Sequence, residues 1–425
     1  MVAIRPFAAL RYNPALVDDL SRVIAPPYDV IDPQEQEQLY AASPYNIVRL
    51  ILGKAASGDT PSDNRYTRAQ RDFAAWCREG ILRPDPAPAL YLVEHTFDDE
   101  AVVRSRLGFL ALLDLAGPVE RLVYRHEATL AAPKADRTKL LEAVPANLEP
   151  IFCVYPDPGG TTQAFLRQLT TGSAPVERAT IQGEQVRVWA LTDRTMIEAV
   201  AQALAHTAVL IADGHHRFEV ACAHRARYGA LMSYFVSMEE PALRVRPIHR
   251  IVQHPAASER GSLRSLCVLE PAQDLRLLLE WLREVEAHPA GPRRAESRFG
   301  YYDGHGLYRV RVSPEPLARW LMAPTVPLAL ATLDVSVLHG LLLPSLAPPA
   351  AAGGANGDGV EVRYAADVSE ALAAVDRGEG RTAWLLRGIP LDQVYALAAQ
   401  GLALPPKSTY FYPKVPSGLA IHPLA

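Results

Sequence analysis

The ten residues LIADGHHRFE, Leu210 to Glu219, set an acid, a glycine, two adjacent histidines and an arginine directly behind an apolar run. The chemistry open to such a set is the handling of an anion. Arg217 carries a planar fork of donors that matches phosphate oxygens. His215 and His216 can donate to phosphate or shuttle a proton. Asp213 sits badly beside a bound anion unless it holds a metal ion or takes the proton of a substrate hydroxyl. A plain N-cap role would account for Asp213 but for none of its neighbours. Zinc is another reading, since His215 and Glu219 stand four apart. The other zinc-like start, His126-Glu127, fails as a zincin motif because Leu130 occupies the place of the second histidine.

The elements on either side position this set. Ala208–Ala212 is a short continuous apolar run and predicts a strand buried on both faces. Asp213-Gly214 supplies a sharp turn. Phe218, Ala221, Cys222 and Arg225 then share one stripe of a helix expected over Phe218–Tyr228. The polar residues therefore lie where a strand ends and a helix begins. There, unpaired backbone N–H groups and the positive end of the helix dipole favour an anion at the amides after Gly214.

A second cluster runs from Tyr124 to Leu141. His126, Glu127, Thr129, Lys134, Asp136 and Arg137 crowd a proline-broken stretch ahead of a helix at Leu140-Leu141. In one reading Glu127 is a general base and Lys134 with Arg137 clamps phosphate. In the other, the stretch is a solvated loop and Asp136 caps the helix. Weaker candidates for an anionic group are Asn46, Arg49, Arg250 and Lys407. Lys407-Ser408-Thr409 resembles half of a P-loop, but its glycines are missing, and Gly53-Lys54 lacks the rest of a Walker motif.

Elsewhere the pattern is α+β. Asp32 caps a helix that starts at Pro33, and Asn64–Glu79 reads as an amphipathic helix stopped by Gly80. Ala89–His95 and Arg104–Leu113 read as a hairpin, Thr195–His206 as a helix and Ser233–Met238 as a strand. The stretches 288–296 and 346–359 read as linker and low-complexity loop. From about 299 onward the expected order is strand, helix, loop, strand, helix, strand. With 425 residues two modules are expected: 1–285, carrying the DGHHR turn, and a smaller α+β module at 297–425.

Composition narrows the function classes. The chain is 49% hydrophobic and 21% charged with a net charge of −4, which gives no general pull toward nucleic acid or an anionic membrane. Its four cysteines form no C-x-x-C pair, against a structural zinc site or a secreted disulfide framework. With no signal-like start and no apolar run of spanning length, a soluble cytoplasmic protein acting on small molecules is expected, its oligomeric state open.

Taken together, several segments resemble a bacterial family of domains of unknown function, numbered 1015. They are IRPFAALR near the start, APPYDVI at 25–31, SPYNIVRLILG at 43–53, YRHEATLAAPKADRTKLL at 124–141 and DGHHR itself. RPIHRIV at 246–252, LDVSVLHGLLL at 333–343 and PPKSTYFYPKVPSGL at 405–419 complete the set. The strand–turn–helix motif is also similar to the phosphate-binding motif of the ParB/sulfiredoxin-like superfamily, whose archaeal free-serine kinases carry a D-G-H-H-R-like segment. This second resemblance implies a ParB/sulfiredoxin-like N-terminal module. It further implies a phosphotransferase converting free L-serine to O-phosphoserine, with Mg²⁺ and with ATP, ADP or pyrophosphate as donor. Asp213 would stand near the hydroxyl and the metal, while Gly214, His215, His216 and Arg217 would hold phosphate. The sulfiredoxin cysteine has no counterpart, because histidines stand in its place. Two alternatives stay open. One is a non-catalytic nucleotide-binding regulator, although no basic recognition helix of the ParB kind is evident. The other is a metal-dependent phosphoester hydrolase.

Overall fold

A computed structural model of the protein describes residues 1–253, 263–284, 296–322, 326–346 and 360–424. The expected linker, apart from Glu296, and the expected loop, apart from Leu346, lie outside the described residues. The chain divides into two compact units: Met1–Leu243 with Phe411–Ala425, and Arg244–Tyr410. This differs from the expected division near 285–297, and hydrogen bonding explains why. The strand His249–Gln253 pairs with Glu361–Ala365 and Thr382–Leu385, which places it in the second unit. The last residues are bonded into the first: Leu10 and Ile421 exchange both backbone bonds at 2.9 and 3.0 Å, and Ala25 and Ser417 do the same at 3.2 and 2.8 Å.

The first unit is built on a nine-stranded mixed sheet. Its strands are β1 (Ile4–Arg5), β2 (Leu90–Asp99), β3 (Val102–Asp114), β4 (Val123–Arg125), β5 (Ile151–Tyr155), β6 (Glu177–Ile181), β7 (Glu184–Leu191), β8 (Val209–Asp213) and β9 (Ala230–Ser237). They lie in the order β4-β8-β5-β9-β3-β2-β7-β6, with β1 on β3. The pairs β4–β8 and β5–β9 are parallel, whereas β8–β5 and β9–β3 are antiparallel. The expected hairpin is β2–β3, in register from Tyr91–Leu110 to Asp99–Val102.

Three helices matter for the site. Helix α1 (Arg65–Arg78) starts at Asn64, whose side chain accepts the Tyr66 and Thr67 N–H groups while Thr67 bonds back to the Asn64 N–H. Helix α2 spans Ala131–Ala143 and helix α3 spans His215–Ala223. Because α2 begins at Ala131, Pro133 falls in its first turn, where a missing N–H costs nothing. Asp136 is therefore inside the helix and caps nothing. Val209, Leu210 and Ile211 of β8 are wholly buried, as a strand covered on both faces requires. Ile211, Cys153, Phe109 and Phe235 form one core with Phe218 and Ala221 of α3. Each such aliphatic or aromatic side chain contributes about 1.5–3 kcal/mol on burial, so β8 and α3 are firmly seated.

The second unit has a six-stranded sheet ordered Cys267–Pro271, Leu307–Val312, Arg298–Tyr302, Thr382–Leu385, His249–Gln253, Glu361–Ala365. Where one strand was expected near 299, two form a hairpin around Asp303-Gly304. Among the described residues no helix is long and apolar enough to cross a membrane.

Candidate functional site

The site grows out of the end of β8. A bulge between Ile211 and Asp213 breaks the register against β5, so that Asp213 faces Phe152. Bulges of this kind re-aim a side chain. Gly214 follows with φ of +94°, and a Cβ there would come within 2.8 Å of Ile151 Cγ2. Only glycine fits. Gly214 also occupies the N-cap position of α3, and no side chain caps the helix. The N-cap reading of Asp213 is thereby overturned: its carboxylate points to two cations. Oδ2 accepts from the Arg217 guanidinium at 2.8 Å, and Oδ1 takes the ammonium of Lys414. Burial works to raise the Asp213 pKa, but Lys414 and Arg217 outweigh it and bring the carboxyl down to about 2.

Two histidines flank this triad. His126 donates from Nδ1 to the Ile211 carbonyl at 2.8 Å, which fixes its tautomer. Its ring meets His215 edge-on, centroids 4.7 Å apart. Burial, with Lys414 nearby, pushes His126 down to about 4. Burial likewise takes His215 well below the ordinary range, with His126 adding to the effect. Both are neutral near pH 7. His215 is only 6% exposed, and its Nε2 has no hydrogen-bond partner.

Arg217 closes the other side. Burial opposes its charge, yet Glu149 and Asp213 raise its pKa above the usual value. Glu149 accepts from the Tyr28 N–H at 3.0 Å and from the Ser417 hydroxyl at 3.1 Å, and stands 3.6 Å from Arg137. Tyr28 lies against Arg137, 3.8 Å from guanidinium to ring. Its phenol is raised to about 12 by burial, even though Arg217 and Arg137 pull it down.

The expected residues divide into three groups. Asp213, Gly214, His215 and Arg217 meet at the turn, and His216 adjoins it, accepting the Leu130 N–H at Nε2 at 2.9 Å. The 125–134 stretch lies along α3, but Lys134 is engaged by Glu219 at 3.0 Å, as are Thr129 at 2.7 Å and Arg125 at 2.9 Å. Glu219 thus has partners of its own in Arg125, Thr129 and Lys134. Half-buried Glu127 follows His126. Arg137 bonds Asp136 and the Ile51 carbonyl, on the Tyr28 side of the site.

The second group serves the fold. Asn46 gives its amide to the Arg22 and Ile24 carbonyls and accepts the Val48 N–H; Arg49 binds the Tyr40 carbonyl and stacks on the Tyr40 ring. The third group lies in the other unit. There Arg250 is wholly buried, donating to His339 and the Ile248 carbonyl, and Lys407 is exposed with φ of +56°. Three participants were missed in the sequence: Lys414, Glu149 and Tyr28. Lys414 and Tyr28 stand in segments singled out on other grounds, and Glu149 is an isolated acid before Pro150.

Among the described residues no group of three or more His, Cys, Asp or Glu side chains can hold a metal ion. Asp213, expected to bind Mg²⁺, already serves two cations, so this donor set does not fit the metal. What the arrangement offers is a helix N-terminus without a side-chain cap, two cations and one ionised acid. A concave surface of about 630 Å³ in the same unit, lined by Arg5, Asp114, Arg225 and Gly229 among others, contains none of these residues.

A family model described as "Protein of unknown function (DUF1015)" matches residues 4–336. No curated protein sequence matches the chain. Among solved structures it is similar to a conserved hypothetical protein from Pyrococcus furiosus, at 11% identity and a TM-score of 0.36, covering 74% of this chain and 95% of that one. It is also similar to a free serine kinase in complex with AMP, at 12% identity and a TM-score of 0.35, covering 71% and 86%. A third is SbnI with C-terminal truncation from Staphylococcus aureus, at 10% identity and a TM-score of 0.34, covering 74% and 87%.

Proposed function

The chain belongs to the DUF1015 family of proteins of unknown function, and from the chemistry of its buried turn we propose that it is a phosphotransferase acting on a small hydroxyl compound, with free L-serine the first acceptor to test. The observation that carries this reading is the Lys414–Asp213–Arg217 triad at the N-terminus of α3, where no side chain caps the helix. Helix terminus and cations together suit a phosphoryl group, whose transfer depends on positioning and charge neutralisation. The resemblance of D-G-H-H-R to the free-serine kinases selects serine, and ATP, ADP or pyrophosphate as donors.

Asp213 takes the acceptor hydroxyl. A carboxylate held near pKa 2 is a poor base while both cations remain on it. An arriving phosphate competes for those cations, and Asp213 then regains basicity beside the hydroxyl. The acceptor oxygen forms its bond to phosphorus as the bond to the donor's leaving oxygen breaks, the electron pair departing with the leaving group and the hydroxyl proton passing to Asp213.

The test is isotope transfer from labelled ATP, ADP or pyrophosphate to serine, threonine and glycerate by the full chain. Labelled O-phosphoserine is expected, and Asp213→Asn should lower its formation by about 10²–10⁴-fold. Label released as free phosphate without an acceptor would make the protein a hydrolase. Nucleotide binding without turnover would make it a regulator.

A further inference from the structure

We propose that the concave surface of about 630 Å³ lined by Arg5, Asp114, Arg225 and Gly229 among others binds a small carboxylate or phosphate ester that also carries a hydroxyl or amino group. The surface stands apart from the Asp213 turn. Helix α3 starts at that turn, and the chain leaving its far end, the helical turn Arg225–Tyr228, supplies one wall. The volume lies within the range of roughly 300–1,000 Å³ usual for small-molecule sites. Backbone bonds between distant segments set the walls. Arg5 of β1 lies opposite Leu112 of β3, and Asp114, ending β3, lies opposite Ala230, starting β9. The Asp114 N–H donates to the Ala3 carbonyl and the Leu115 N–H to the Gly229 carbonyl, both at 2.9 Å. Gly117 and Gly229 both line the space with φ of +69°, and a Cβ at either would meet nothing within 4 Å. The cleft is therefore already formed, and little has to be ordered when a ligand enters.

Three side chains give the cleft its selectivity. Arg5 meets Asp114 only at 3.9 Å, from Nε to Oδ2, beyond the reach of a hydrogen bond. Arg225 donates from Nη1 to Glu120, and those two side chains are 44% and 45% exposed. Ion pairs this open to water are weak and give way to a competing anion. Each guanidinium keeps a fork of donors that matches the paired oxygens of a carboxylate or phosphate. Asp114 narrows the choice. Its Oδ1 accepts the Ala116 N–H at 2.8 Å, and its Oδ2 faces Arg5. A bare anion beside this carboxylate is repelled, whereas one bearing a hydroxyl or ammonium offers it a donor. Two guanidiniums and one acid on the same walls thus select an anion that can also donate.

Calorimetry of the full chain with glycerate and with glycerol 3-phosphate tests this, with glycerol as the neutral control. At least one of the two anions should bind with a Kd below about 1 mM, the pair showing whether carboxylate or phosphate is preferred. Glycerol should not bind. Arg5→Gln and Arg225→Gln should each weaken that binding about 10-fold, the worth of a hydrogen bond to a charged group. Ala226→Trp, at an exposed position in the lining, should abolish it by filling the cleft while the melting temperature holds. Arg194→Gln, an equal change of charge at a side chain 91% exposed, should leave it unaltered. Binding that survives Ala226→Trp lies elsewhere on the chain, the Asp213 turn included, and overturns the proposal. Binding indifferent to both arginines, glycerol bound as well as the anions, or neither anion bound would overturn it equally.

Discussion

Two clusters of ions share helix α3, and they are built to different ends. At its start, Asp213, Arg217 and Lys414 have side chains 13%, 11% and 13% exposed. A turn and a half further on, Glu219 meets Arg125 and Lys134, at 24%, 44% and 39%. Both join segments distant in sequence, and both acids are depressed: burial works against each, but Lys414 and Arg217 prevail at Asp213, and Thr129 and Lys134 at Glu219. The outer cluster is in water's reach, where ion pairs contribute about 0–1 kcal/mol. The inner one confines its charge, where the desolvation cost offsets the attraction and the arrangement needs another reason to persist. Position along one helix thus separates a solvated ion cluster from a confined one.

The largest effect that could break this distinction is on stability. Asp213→Asn leaves Lys414 and Arg217 without their carboxylate and should cost about 3 kcal/mol, read from urea or thermal melts. Asp213→Asn/Lys414→Gln should recover at least half of that loss. A single variant that melts like the wild type would show that the inner cluster is as well solvated as the outer.

Acid sharpens the same contrast. The folded pKa of Asp213 lies below its ordinary 3.8, so its contribution is complete above about pH 4 and disappears as pH falls toward about 2. Stability measured across that window should drop by roughly 2 kcal/mol more in the wild type than in Asp213→Asn. Matching acid profiles would mean the carboxylate is not held down in the fold. The smallest effect belongs to Glu219→Gln, expected to cost no more than about 1 kcal/mol and to become smaller still in 1 M salt. A larger, salt-insensitive loss would move Glu219 into the inner class.

Much of the first unit was legible because its signals are local. The β2–β3 hairpin follows from two apolar runs around an acidic turn, and β8 from an unbroken apolar run. The start of α3 was placed three residues late, since His215, His216 and Arg217 read as turn chemistry, whereas Gly214 in the left-handed region launches the helix directly. Pro133 concealed the start of α2 in the same way, because a proline in a first turn looks like a break. The hairpin at 298–312 was read as one strand, Asp303-Gly304 being too brief to separate two. At the site, Asp213, Gly214 and Arg217 were legible as a motif. Lys414 was not: 201 positions separate it from Asp213, and no spacing rule reaches that far. Asn46 and Arg49 show the converse, polar residues in a suggestive segment whose donors serve the backbone.

The position of Lys414 along the chain also dictates when the site can exist. At elongation rates of roughly 5–20 residues per second, Asp213 and Arg217 leave the ribosome about 10–40 s ahead of Lys414. Throughout that interval the sheet can assemble around an acid that has Arg217 beside it but not yet Lys414. The segment from Phe411 arrives only after the whole second unit has been made, so the Lys414–Asp213–Arg217 cluster is completed only then. A nascent chain stalled at Tyr410 should therefore show protected amides in β5 and β9 while those of Asp213 to Arg217 still exchange.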